Sequence, residues 1–85
     1  MKRDDMIREL ARSLGYWSAH YLDQSRQDYW YGQYSKGRRE AAVDLLRMLL
    51  RRASKPMRRQ AAQRIKDSFI WCQTEVLKVR KAVAA

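Results

Sequence analysis

Apolar residues recur along the first part of the chain in steps of three and four: Ile7, Leu10, Leu14, Trp17 and Tyr21. That spacing draws one stripe on an α-helix. Asp4 and Asp5 precede the stripe, where carboxylates suit the positive end of the helix dipole. Gln24 and Asp28 take its next two positions, and a shifted stripe through Ser18, Leu22, Ser25, Tyr29 and Gly32 continues the pattern with small residues among large. The spacing predicts one long helix A over about residues 3–34, with Gly15 as the point where it can bend.

Ser35-Lys36-Gly37 reads as a turn, because glycine can end a helix in the left-handed conformation that other residues resist. Helix B follows over about residues 38–53, with Ala42, Leu45, Leu46, Leu49 and Leu50 as its apolar face. Ser54-Lys55-Pro56 reads as a second turn. Ser54 suits an N-cap, and Pro56 suits the first turn of a new helix while disfavouring helix at Lys55. Helix C runs over about residues 56–83. Its stripe of Ala62, Ile65, Phe69, Cys72, Val76, Val79 and Val83 keeps heptad spacing throughout.

Three helices and two short turns predict an all-α, up-down-up bundle forming one domain, residues 1–85. At 1.5 Å per residue, helices A and C extend roughly 42 to 45 Å and helix B about 24 Å. Helix B cannot cover both partners along their lengths. Apolar groups at Trp17, Tyr21, Trp71, Val79 and Val83 are left over. Either a homodimer through helices A and C buries them, or helix A bends near Gly15 and folds over helix C.

Charge changes this picture more than composition does. Between Gly37 and Lys66 lie ten of the nineteen basic residues and two of the nine acids, a surplus of eight out of the chain's net +10. Both ends are near neutral. A centre so strongly cationic points to an anionic partner. The opening Met1-Lys2-Arg3-Asp4-Asp5 lacks the apolar run of a signal peptide, and no apolar stretch reaches the roughly 20 residues that span a bilayer. A single cysteine cannot form an internal disulfide. A soluble, cytoplasmic protein without a membrane partner is expected.

Nothing in the sequence assembles a catalytic constellation. His20 has only Asp23 at a ligand spacing, whereas zinc takes three or four protein ligands. Cys72 falls on a core position, where a thiol acts as a small apolar group. There is no glycine-rich phosphate loop. The expectation is a protein that is not an enzyme and holds no metal or cofactor.

The binding candidates are the cations Arg38, Arg39, Arg47, Arg51, Arg52, Lys55, Arg58 and Arg59. Arg51, Arg52, Arg58 and Arg59 flank the second turn, and arginine suits planar, bidentate recognition of phosphate. The alternative is a solvated face that aids solubility. Tyr29, Trp30, Tyr31 and Tyr34 lie close together in sequence, and successive helical positions point about 100° apart, so they cannot all face one core. Those left at the surface suit base stacking or an interface anchor. They could equally wrap the end of the bundle.

The segment Met6-Ile7-Arg8-Glu9-Leu10-Ala11-Arg12-Ser13-Leu14-Gly15-Tyr16 resembles the first helix and turn of the helix-turn-helix DNA-binding family, with small Ala11 four places before Gly15. The resemblance covers about a quarter of the chain and implies that Trp17 to Asp28 forms a recognition helix.

Two readings of function follow. The first is a nucleic-acid-binding accessory or regulatory protein that holds DNA or RNA by the central arginines and flanking aromatics. The second is a phage-like or mobile-element inhibitor or adaptor that covers an acidic or nucleic-acid-binding surface of a host protein. There the aromatics anchor and the arginines steer. A membrane-surface helix is a weaker third reading, because both long helices need their apolar faces for each other.

Overall fold

A computed structural model describes residues 2–24 and 29–77 of the chain. Among them are three α-helices and no strand: α1 (Arg3–Gln24), α2 (Tyr29–Leu50) and α3 (Lys55–Trp71). A short π-helix, Cys72–Leu77, extends α3. Positions 25–28 of the expected helix A, and 78–83 of helix C with Val79 and Val83, lie outside the described residues.

Asp4 and Asp5 open α1, and Arg8 pairs with Asp5 one turn on at 3.1 Å. The helix then runs unbroken through Gly15 and Tyr16. The turn that a helix-turn-helix needs at Gly15 is therefore absent, and Trp17 to Gln24 continue the same helix. The most deeply buried row is Ile7, Ala11, Gly15 and Ala19. Leu10, Leu14, Trp17 and Tyr21 are only half-buried beside it.

The turn expected at Ser35-Lys36-Gly37 is a correction. All three residues are helical, and α2 begins at Tyr29 instead of Arg38. Gly37 does not have a positive φ, so it does not act as a helix terminator. What holds α2 through this region is a stripe of Gly32, Ser35, Arg39, Ala42 and Leu46, spaced three, four, three, four. Gly32, Ser35, Ala42 and Leu46 are buried, and Arg39 Nε donates to Ser18 Oγ of α1 at 3.1 Å. Leu45 corrects the expected apolar face: it is 51 % exposed.

The second turn falls earlier than expected: α2 ends at Leu50, so residues 51–54 form the turn instead of the last turn of helix B, and Lys55 and Pro56 already belong to α3. Ser54 has extended backbone, φ −67° and ψ 161°, and its Oγ accepts from Met57 N at 3.2 Å. Pro56 sits in the first turn, where its missing N–H costs nothing. Along α3 and into its π-helical extension the inward row is Met57, Ala61 and Cys72, with Ile65 and Phe69 half-buried between them. Ala62, placed on that row from the sequence, is exposed. Beyond Trp71 the i→i+5 pattern widens the turn, so that Leu77, five residues after Cys72, shares its buried side and Val76 is only half-buried. Thr74 Oγ1 donates to the carbonyls of Ile70 and Trp71 at 2.9 and 3.3 Å, satisfying groups at this change of pitch.

α1 packs against both α2 and α3. One core cluster joins Ile7 and Ala11 to Leu46, Met57 and Ala61; a second joins Ala19 to Cys72 and Leu77. Among the described residues, four of the nine buried apolar ones are alanine, so close helix approach has to supply contacts that larger side chains give elsewhere. Ser35 is fully buried, and its Oγ has no hydrogen-bond partner among the described residues. Ser35→Ala removes that unmet group and raises helix propensity. The expected result is a gain of roughly 1 kcal/mol in chemical denaturation.

Candidate nucleic-acid interface

The turn between α2 and α3 gathers the densest charge. Arg51, Arg52, Lys55, Arg58 and Arg59 occupy residues 51–59, all are exposed, and no acid lies between them. Among the described residues none of the five forms an ion pair. The two ion pairs found, Arg8–Asp5 and Arg12–Glu9, are both within α1. Arg12 holds the Glu9 carboxyl below its usual range, and Glu9 in turn raises Arg12.

These cations are not equivalent. Arg58 folds back onto the end of α2. Its Nε donates to the Leu50 carbonyl at 3.1 Å and its Nη2 to the Arg51 carbonyl at 3.3 Å. The Leu50 carbonyl also accepts from Ala53 N at 3.2 Å, so Arg58 adds a second donor there and supplies one to the Arg51 carbonyl, and positive charge there also suits the negative end of the α2 dipole. Arg58 is thus a structural group as well as a surface charge. Lys55 and Arg59 have no such role. They lie at the start of α3, whose first turn carries no acid and whose dipole is unfavourable to cations. A local preference broken in this way is typical of a surface kept for a ligand.

The remaining arginines spread along α2. Arg47 is exposed one turn before the corner. Arg38 lies over the rings of Trp17 and Tyr34, 5.3 and 6.0 Å from their centres, and Arg39 bonds to Ser18. The aromatics are farther still. At 1.5 Å per residue, Trp30 stands about 30 Å along α2 from Arg51. The structure therefore does not bring the aromatic group to the arginine corner. Tyr29 and Trp30 are 67 % and 79 % exposed and pack edge-to-face on each other. Tyr34 is exposed and meets Trp17 edge-to-face, while half-buried Tyr31 stacks near His20.

Sequence reading missed Arg3, which joins Arg51 and Arg52 around one hollow with Met48 and Leu49. Its neighbours are remote in sequence, so only the pairing of α1 with α2 shows it. Reading α2 as one helix would have exposed another signal, since Trp30, Tyr34, Arg38, Ala41, Leu45 and Met48 then fall on a single flank in steps of four and three.

His20 is buried among the rings of Tyr16, Trp17 and Tyr31, with Tyr16 nearest at 4.4 Å. Among the described residues, no three His, Cys, Asp or Glu side chains come together as a metal site would require. Cys72 is fully buried, and burial followed by the nearby Asp23 carboxylate pushes its thiol above the usual range. A thiol so placed reacts only through opening of the fold. Its labelling by a disulfide reagent should be slow in native buffer and rise to the free-thiol rate in denaturant. Among the described residues no helix is long and apolar enough to cross a membrane.

No family model, curated protein or solved structure matches the chain.

Proposed function

We propose that this chain is a small, non-catalytic, cytoplasmic accessory protein that binds nucleic acid through the corner between α2 and α3. Its helices would follow an up-down-up course. One observation carries the reading: five exposed cations within nine residues, with no ion-pair partner among the described residues. In the proposed mode Arg51, Arg52, Lys55 and Arg59 meet backbone phosphates, and Arg47 extends the contact along α2. Phosphate contacts of this kind position a protein without reading sequence. Arg38 and Arg39 reach the same partner only if it extends along α2, since both already have contacts within the fold.

The test is a titration of labelled duplex and single-stranded DNA and RNA at two salt concentrations. Micromolar binding that weakens steeply with salt supports the reading. Absence of binding at low salt removes it.

Exposed Tyr29 and Trp30, far from the corner, favour a second reading. There the chain is an inhibitor or adaptor anchored on a protein surface by these rings, with the arginines steering the encounter. Replacing both by alanine should then abolish partner binding while leaving nucleic-acid titrations unchanged. For the homodimer, one of the two ways to bury the leftover apolar groups, Trp71 at 54 % exposure is a support, but Trp17 is half-buried against Tyr34 and Arg38, and self-association would bring two chains of net +10 together.

A further inference from the structure

Three hollows, of about 190, 270 and 330 Å3, follow one another along the seam between α1 and α2. The first two share Leu10 and Leu45, and the second and third share Met48 and Leu49. Together they form one groove with Arg38 and Ser13 at one end and Arg3, Arg51 and Arg52 at the other. No residue of α3 lines it. Its middle is apolar, and its upper rim is open: Leu45 is 51 % and Met48 65 % exposed, with Met6 at 39 %. From Arg38 to Arg51 the groove extends about 20 Å, nearly four helical turns. The hollows on the other seam, between α1 and α3, differ. They are lined by Arg8, Arg12, Arg64 and Asp67 and have no comparable apolar floor.

We infer that this groove, which shares Arg51 and Arg52 with the nucleic-acid corner, binds an acidic amphipathic helix of a partner protein. An apolar floor bounded by two packed helices accepts the apolar stripe of a third, through anchors at i, i+3 or i+4, and i+7. The charge at the ends selects among occupants. Arg38 stands at one end and three arginines at the other. The only acid on the lining, Glu9, is already engaged by Arg12. A second copy of the chain would bring net +10 against these arginines. The chain's own segment after Leu77 carries Lys78, Arg80 and Lys81 and no acid, so it is mismatched in the same way. A helix with carboxylates flanking its apolar stripe is matched at both ends. Its apolar residues would cover Leu45 and Met48, which solvent now reaches.

The experiment uses the full chain and a labelled helical peptide of about 18 residues, with leucines on one stripe and glutamates on both flanks. The peptide should bind, and the methyl resonances of Met6 and Met48 should move on titration while buried Met57 stays in place. Leu45→Ser with Met48→Ser, both at exposed positions where folding tolerates change, should weaken binding about tenfold or more. Lys55→Ala with Arg59→Ala should leave peptide binding unchanged while reducing nucleic-acid affinity, so the two sites fail separately. The proposal is overturned if the peptide does not bind, if a scrambled peptide of the same composition binds as well, or if the serine variant binds equally. It is also overturned if the Met6 and Met48 resonances respond instead to raised protein concentration or to vesicles of phosphatidylglycerol and phosphatidylcholine.

Discussion

Gly15→Ala should destabilise the fold by at least about 3 kcal/mol, which for a domain of this size lowers the melting temperature by on the order of 15 °C. Within an isolated helix the same change would stabilise by up to about 1 kcal/mol, because alanine favours the helix. Packing reverses the sign. A Cβ at Gly15 would collide with the Ile65 carbonyl oxygen and would stand 2.8 Å from Ser68 Cβ and 2.9 Å from Phe69 N. Two of these three are backbone atoms of α3 and cannot rotate aside, so the helices would have to separate. Separation would also break the bond from Ser68 Oγ to the Arg12 carbonyl, 2.7 Å, and the contact of Cys72 Sγ with the Tyr16 carbonyl, 3.9 Å. Gly37→Ala is the internal control. Nothing lies within 4 Å of a Cβ there, and the residue is exposed within α2. It should gain roughly 0.5–1 kcal/mol. Thermal and urea melts of both variants check the pair. A loss at Gly37 would restore its role as a helix end, and a neutral Gly15 would mean that α1 and α3 do not approach as described.

The same two glycines mark where sequence could and could not be read. From sequence Gly15 reads as a point of bending and Gly37 as a stop, because glycine can end a helix in the left-handed conformation. In the fold Gly15 is a contact, and Gly37 is an exposed residue that α2 simply passes through. The bulky stripe of α1, Leu10 to Tyr21, was legible, but it lies beside the deepest row. That row is Ile7, Ala11, Gly15 and Ala19, where small side chains let backbones meet. α2 repeats the lesson with Gly32, Ser35 and Ala42. Counting apolar bulk finds where oil is; it does not find where helices approach. Ser54 and Pro56 were legible because capping is local chemistry, settled by residues three apart. The charge surplus was legible because arginine is exposed almost wherever it falls. Its division into structural Arg58 and uncommitted Lys55 and Arg59 needed the geometry of two helix ends.

Replacing Arg51, Arg52, Lys55 and Arg59 together by alanine should lower nucleic-acid affinity on the order of a hundredfold at low salt and remove most of its salt dependence. Four phosphate contacts imply a slope of log affinity against log salt near about −3.6 on duplex DNA, or roughly a hundredfold loss between about 50 and 200 mM salt. Arg58 is left in place because it donates to the carbonyls of Leu50 and Arg51; its removal would confound a binding loss with an unravelled α2 end. Stability supplies the discriminating readout. Lys55 and Arg59 oppose the dipole at the start of α3, whereas Arg51 and Arg52 follow the end of α2, where positive charge is favourable, so the two effects offset and the melting temperature should stay level while affinity collapses. A general loss of fold would lower both. The matched comparison is Arg8, Arg12, Arg64 and Lys66 changed to alanine, the same change in net charge made along α1 and the later part of α3. If that variant loses as much affinity and slope as the corner variant, binding follows total charge and the corner has no special role. If only the corner variant fails, the phosphates lie where five cations meet at the bend between two helices.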